Sequence, residues 1–104
     1  MFSFFLVRDH SMAPSVLEGD VVFASSLFRP RPGDVAVIRD PELQERLLLK
    51  RVKRIEQECC WVEGDNKEQS RDSRQFGSIP LHSVIGRVWK ISPGRGSLTG
   101  KFVV

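Results

Sequence analysis

The stretch LLLKRVKRI, residues 47–55, decides how this chain is expected to fold. Successive side chains of a β-strand point to opposite faces of the sheet, so Leu48, Lys50 and Val52 would share one face. Arg51 and Lys53 would share the other face. With apolar neighbours on its own face, the Lys50 side chain either is buried between them or extends so that its amine reaches water.

Short apolar runs rich in Val, Ile and Phe recur on both sides of this stretch, interrupted by Gly, Pro and Asp, and this pattern is typical of β-structure. The predicted strands are Phe2–Val7, Val21–Ala24, Asp34–Arg39, Leu47–Ile55, Cys60–Glu63 and Val84–Ile91. RPRPGD at 29–34 predicts a turn, and PELQER at 41–46 predicts a helical turn or a loop. SPGRGSLTG, which follows Ile91, predicts a tail that is loose or weakly docked.

The length of 104 residues is that of a single domain with one core. We therefore expect one mainly β domain of antiparallel strands with little helix over residues 1–91, and a C-terminal tail over 92–104. No apolar stretch reaches the ~20 residues of a membrane span, and the start MFSFFLV lacks the leader of a secretory signal. Phe2–Val7 is then a buried edge strand or an apolar lip that contacts membrane or substrate.

Charge and cysteine content narrow the function classes. The net charge of +3 permits contact with acidic lipid or nucleic acid, but KRVKR at 50–54 lacks interleaved aromatic residues, so we expect no nucleic-acid binding. Adjacent Cys59 and Cys60 rarely bridge because their ring is strained, and with two histidines besides they predict neither a metal nor another cofactor. Reduced thiols favour a cytoplasmic setting.

One serine stands out in HSMAPSVLEGD, residues 10–20, where Ser11 is either a nucleophile or a hydroxyl in a turn. A serine nucleophile needs a base. His10 is adjacent and its side chain would diverge, while His82 has no obvious acid to orient it, so nothing supports a Ser–His–Asp triad. A neutral lysine can replace histidine, and burial lowers a lysine pKa by up to ~3–5 units, which makes Lys50 the candidate base.

Three blocks of sequence, taken together, resemble the type I signal peptidase (S26) family of serine–lysine peptidases. The blocks are Ser11-Met12-x-Pro14-x-x-Leu17-x-Gly19-Asp20, Lys50-Arg51-Val52 and GDNKEQSRDSRQFG at 64–77. The resemblance covers about residues 5–91. Ser-Met-x-Pro alone is shared with LexA-like self-cleaving repressors, whereas the third block points to the signal peptidases. The implied fold is a compact LexA/signal-peptidase-like β domain.

The resemblance also implies roles for named residues. Ser11 would be the nucleophile, Lys50 the general base, and the backbone N–H of Ser11 a donor to the developing oxyanion. The implied supporting residues are Ser70, Asp72, Arg74, Met12 and Pro14. Ser70 would hold the amine, the pair of Asp72 and Arg74 would brace the loop, and Met12 and Pro14 would fix the loop that exposes the nucleophile. Substrate would bind as an added β-strand.

Three departures from the family pattern indicate a short soluble branch. Asp9 stands where many members have a hydroxyl or glycine, no N-terminal span is present, and only residues 51–63 separate the second block from the third. In SMAPSVLEGD, RPGDVAVIR, LLLKRV and GDNKEQSRDSRQFG, and without a span, the chain resembles the nickel-type superoxide dismutase maturation proteases. We therefore expect an endopeptidase that removes a short N-terminal propeptide or leader from a precursor, here nickel superoxide dismutase. The alternatives are a signal-peptidase-like enzyme that cleaves exported precursors at the membrane, and an inactive peptide-binding module of the same fold.

Overall fold

The apolar runs form the strands of one antiparallel sheet in the computed structural model, which describes residues 2–94, 103 and 104. The strands are β1 (Phe2–Leu6), β2 (Val21–Ser25), β3 (Val35–Arg39), β4 (Leu47–Glu56), β5 (Cys59–Glu63), β6 (Ile79–Pro80) and β7 (Val84–Ser92). Their order across the sheet is β1-β2-β7-β3-β4-β5-β6, and each neighbouring pair is antiparallel. One helical turn, α1 (Ser73–Phe76), and two 3₁₀ turns, Lys67–Gln69 and Leu81–Ser83, complete the described elements. The mainly β, antiparallel class is confirmed.

All six predicted strands are present, with ends that move by at most one residue. β6 was not predicted because two residues are too few to show alternation. PELQER forms turns, which agrees with the loop alternative. Of the predicted tail, 95–102 lies outside the described residues, whereas Val103 and Val104 lie against β1.

Both faces of β3 are covered, and this arrangement buries the neighbouring strand as well. Val35 and Val37 belong to one apolar cluster, and Ala36 and Ile38 belong to a second one on the opposite face. Ala36 pairs with Lys50 in the β3–β4 register, so the lysine lies on the second face between strands. Its companions Leu48 and Val52 are buried there too, as the alternation predicted.

β1 is divided between core and surface. Its inner end is buried, with Phe5 at 3% exposure, whereas Phe2 and Phe4 are 64% and 50% exposed. The inner half of Phe2–Val7 is therefore a buried edge strand, as one interpretation predicted, and the outer half is an exposed aromatic surface. The buried inner end leads directly into the loop that carries Ser11.

Candidate active site

The loop that follows β1 holds Ser11 in a buried position. Ser11 is 2% exposed, and Met12 and Val16 beside it are packed into the first apolar cluster. The amide of Val16 donates to the Met12 carbonyl at 3.0 Å, which closes a turn just after the serine. Asn66 ties this loop to the third sequence block, because its backbone N–H donates to the Ser11 carbonyl at 2.8 Å and its side chain donates to the His10 carbonyl at 3.1 Å.

Lys50 is buried rather than extended to water. It is 1% exposed, and its Nζ donates to Ser70 Oγ at 3.1 Å. Burial lowers the pKa of the amine below its ordinary value of 10.5, and the negative charges of Asp9 and Asp72 oppose that shift in part. The amine is therefore easier to deprotonate than a surface lysine.

Asp72 anchors the other end of this chain of hydrogen bonds. Ser70 Oγ donates to Asp72 Oδ2 at 2.6 Å, and the Gly64 amide donates to the same oxygen at 2.8 Å. Arg74 Nε lies 3.0 Å from Oδ1, which completes a carboxylate–guanidinium pair. Burial by itself would raise the pKa of Asp72, but the hydrogen bonds from Arg74, Ser70 and the Gly64 amide outweigh it and hold the pKa well below 3.8. The carboxylate is thus a fixed negative charge next to the lysine.

Asp72 also begins α1, and this explains why the third block folds locally as it does. Its side chain accepts from the Arg74 amide, while the Gln75 side chain accepts from the Asp72 amide, so the two residues form a capping box. The Gly77 N–H closes the turn on the Ser73 carbonyl. The sequence predicted an ordered loop here. The structure has a single helical turn in that loop, and the capping residue Asp72 is fully buried.

Gly64 is the point where the first and third blocks touch. A Cβ placed on Gly64 would lie 2.3 Å from Ser70 Oγ and 2.5 Å from the Ser11 carbonyl oxygen. Those two atoms are therefore neighbours across the glycine, and the Lys50 amine is hydrogen-bonded to one of them. The fold thus places the Ser11 backbone carbonyl, the Ser70 hydroxyl and the Lys50 amine near one another, with Ser11 and Lys50 buried and Ser70 half-buried.

The remaining polar candidates, Asp9, His10 and His82, are exposed. The Asp9 carboxylate accepts from the His10 amide at 2.7 Å. The His10 ring faces Glu18 at 3.6 Å on the surface, and His82 lies in the 3₁₀ turn Leu81–Ser83. Among residues 2–94, 103 and 104, neither imidazole is hydrogen-bonded to Ser11, and of the three candidate bases only Lys50 is buried.

Two ion pairs that support the site were not predicted from the sequence. Arg51 binds Asp65 through two hydrogen bonds of 2.9 and 2.8 Å, which joins the second block to the third. Arg71 pairs with Asp40, a fully buried residue at the end of β3, and with the exposed Glu42. Arg51 directly follows Lys50 in the sequence, and Asp65 directly follows Gly64. These positions could have predicted the first ion pair.

Comparison with known proteins matches most of the chain to one family. The family described as "Signal peptidase, peptidase S26" matches residues 1–55 and 52–91. "Mitochondrial inner membrane protease subunit 1" from Mus musculus is 31% identical over 108 residues, covering 80% of this chain and 65% of the relative, and the Homo sapiens protein of that name gives the same figures. "Mitochondrial ATP-independent inner membrane protease subunit 1b" from Arabidopsis thaliana is 33% identical over 88 residues, covering 62% and 52%.

The match covers only part of each relative's length. This chain spans about half to two thirds of these relatives. Within residues 2–94, 103 and 104, the helices are too short to cross a membrane.

Proposed function

Because the chain belongs to the signal peptidase family, peptidase S26, we propose that it is a serine endopeptidase with Ser11 as nucleophile and Lys50 as general base. The observation that carries the proposal is the buried Lys50 amine, hydrogen-bonded to a Ser70 hydroxyl that neighbours the Ser11 carbonyl across Gly64. A buried lysine with a lowered pKa is the state that base catalysis needs.

The reaction follows from these positions. Ser11 Oγ attacks the carbonyl carbon of the scissile peptide while the neutral Lys50 amine takes the hydroxyl proton. The backbone N–H of Ser11 donates to the oxyanion. Lys50 then returns the proton to the departing amine, which leaves an acyl-enzyme on Ser11. A water molecule, deprotonated by the same lysine, attacks the acyl carbonyl, and the acid product and the free serine are released.

Ser70 and Asp72 have supporting roles in this scheme. Ser70 Oγ accepts from the amine and donates to Asp72, so the amine is held in one orientation. When Lys50 carries the extra proton, the fixed carboxylate of Asp72 lies one hydroxyl away and stabilises the ammonium. Arg74 keeps that carboxylate in place.

The proposed reaction is the removal of a short N-terminal propeptide or leader from a precursor protein. A nickel superoxide dismutase precursor as substrate, and the cytoplasmic setting, remain predictions from the sequence alone. The relatives' names describe mitochondrial inner membrane proteases, and this favours the second candidate, cleavage of exported precursors at a membrane.

The proposed function is tested with two synthetic peptides, one spanning the propeptide junction of a nickel superoxide dismutase precursor and one spanning a leader junction of an exported precursor. We expect mass spectrometry to show one of them cut at a single bond, which also identifies the substrate class. Ser11→Ala should give no product while its circular dichroism stays that of the wild type. The control Ser78→Ala removes an exposed hydroxyl and should cleave normally. Tight binding of a peptide without cleavage by the wild type would favour the inactive binding module.

Peripheral membrane contact through Phe2–Val7 is the second part of the proposal. Phe2 and Phe4 are exposed, Trp89 is 55% exposed with its ring 6.2 Å from that of Phe2, and Lys90 follows it. Aromatic rings beside a cation suit the interface of an anionic bilayer.

Flotation with vesicles rich in phosphatidylserine tests this contact. We expect the wild type to float with the vesicles and Phe2→Ser/Phe4→Ser to stay at the bottom of the gradient, because the double variant removes two exposed rings. Leu43→Ser is the control, since it removes an exposed apolar side chain (49% exposed) from a different loop. Equal flotation of all three proteins would contradict the contact.

A further inference from the structure

The edge of β1 that faces away from β2 is occupied by a segment of the same chain. Val103 forms a parallel bridge with Leu6, and the Val104 N–H donates to the Leu6 carbonyl at 2.9 Å. The amides of Arg8 and Asp9 donate to the Val104 carbonyl at 2.6 and 3.3 Å. We call Val103 and Val104 the docked pair. The docked pair runs parallel to the end of β1, toward the loop of Ser11, and forms an isolated bridge at the edge of the sheet.

The docked pair also fills space next to the nucleophile loop. Val104 is 6% exposed and belongs to the apolar cluster that contains Met12 and Val16, which follow Ser11. Val103 is 44% exposed, so one side chain of the pair is inserted and the other faces outward. This alternation is that of a peptide laid along a sheet edge.

The docked pair lines a cleft between the two elements that carry the proposed nucleophile and base. The cleft has a volume of about 570 Å³ and is bounded by Arg8 and Asp9 on one side and by residues 45–48 on the other. Residues 47 and 48 begin β4, the strand of Lys50. An extended peptide that paired with this edge of β1 would use the Leu6 carbonyl and the Arg8 and Asp9 amides, which the docked pair already occupies.

We propose that the docked pair closes the peptide-binding groove of this protein from within, so that a substrate must displace Val104 before its carbonyl can reach Ser11. The proposal rests on the proposed function, because it assigns regulation to that same site. A backbone edge pairs with one strand at a time, so the docked pair and the substrate compete. A competitor of this kind raises KM and leaves kcat unchanged.

Val104→Gly is the direct test, because it removes the inserted side chain and keeps the backbone. If the groove is closed about nine-tenths of the time, opening it should lower KM about tenfold, with kcat unchanged. Val35→Gly is the matched control: it removes the same side chain from the same cluster on β3, and should lower thermal stability without lowering KM. Equal KM values for Val104→Gly and the wild type would overturn the proposal, as would a fall in kcat alone.

A binding experiment separates this proposal from the proposed function. The probe is the peptide Lys-Phe-Val-Val, which has the sequence of residues 101–104, added to proteins that carry Ser11→Ala. Calorimetry should show about tenfold tighter binding to Ser11→Ala/Val104→Gly than to Ser11→Ala, since the groove of the double variant is open. Equal affinities, or no binding to either, would overturn self-closure whether or not the wild type cleaves peptides. Absence of cleavage by the wild type together with the expected binding difference would count against the peptidase alone.

Discussion

Lys50→Met is expected to abolish peptide cleavage while the protein remains folded. Methionine has a similar length and no titratable group, so it fills the buried site between Leu48 and Val52 without a base. A general base contributes about 10²–10⁴-fold, and an unactivated serine hydroxyl is a poor nucleophile, so kcat/KM should fall by about 10⁴-fold or more. Lys53→Met, on the exposed face of the same strand, is the control and should retain activity. Cleavage retained by Lys50→Met would eliminate the dyad.

The pH dependence of the wild type should identify the same residue. The reaction needs the neutral amine, so the single-turnover rate should rise with pH through the lowered pKa of Lys50 and then level off. A single-turnover rate that does not change with pH below 10.5 would contradict lysine as the base.

The free energy of unfolding should also rise with pH, for the same reason. The unfolded chain binds the lysine proton up to pH 10.5, whereas the folded chain releases it earlier. The free energy of unfolding therefore rises with pH between the lowered pKa and 10.5. That rise should be absent in Lys50→Met, and urea titrations at several pH values measure it.

Lys50 shows which properties of a residue can be predicted from the sequence and which cannot. Strand alternation predicted its face correctly, but it left burial and extension to water equally open. Burial is decided by partners far along the chain: β3 covers the lysine on one side, and Ser70 reaches its amine from 20 positions away. Periodicity within nine residues holds no information about such contacts.

The same limit explains what the sequence did not reveal. Asp40 stands before a proline and has the local pattern of a turn, yet its ion partner Arg71 lies 31 positions further on. Val103 and Val104 were predicted to belong to a C-terminal tail that is loose or weakly docked, and the Gly- and Ser-rich stretch before them predicts nothing about the sheet edge they meet. The family resemblance named residues of the third block, Gly64 among them, but the sequence did not reveal that Gly64 packs against Ser70 and the Ser11 carbonyl.

Gly64→Ala is expected to have the second largest effect. The backbone of Gly64 does not adopt the left-handed conformation that favours glycine, so the requirement for glycine there is one of space. A methyl group would lie 2.3 Å from Ser70 Oγ, 2.6 Å from Ser70 Cβ and 2.5 Å from the Ser11 carbonyl oxygen. All three distances are far below van der Waals contact, and one of the atoms is backbone. The two loops must therefore move apart, and overpacking of this kind costs about 1–3 kcal/mol of stability.

Activity should fall more than stability, because the displaced atoms include the partner of the Lys50 amine and the loop of Ser11. A displacement of about 1 Å in such a site lowers the rate by roughly 10²-fold, so kcat for the folded variant should drop by at least that factor. Gly86→Ala is the matched control: its Cβ would lie 3.1 Å from the Ala24 side chain, in β7 and away from Ser11, so it should lower the melting temperature and leave kcat unchanged. Wild-type kcat in Gly64→Ala would mean that contact between the first and third blocks is not needed for catalysis, and the Ser70–Lys50 geometry would then lose its proposed role.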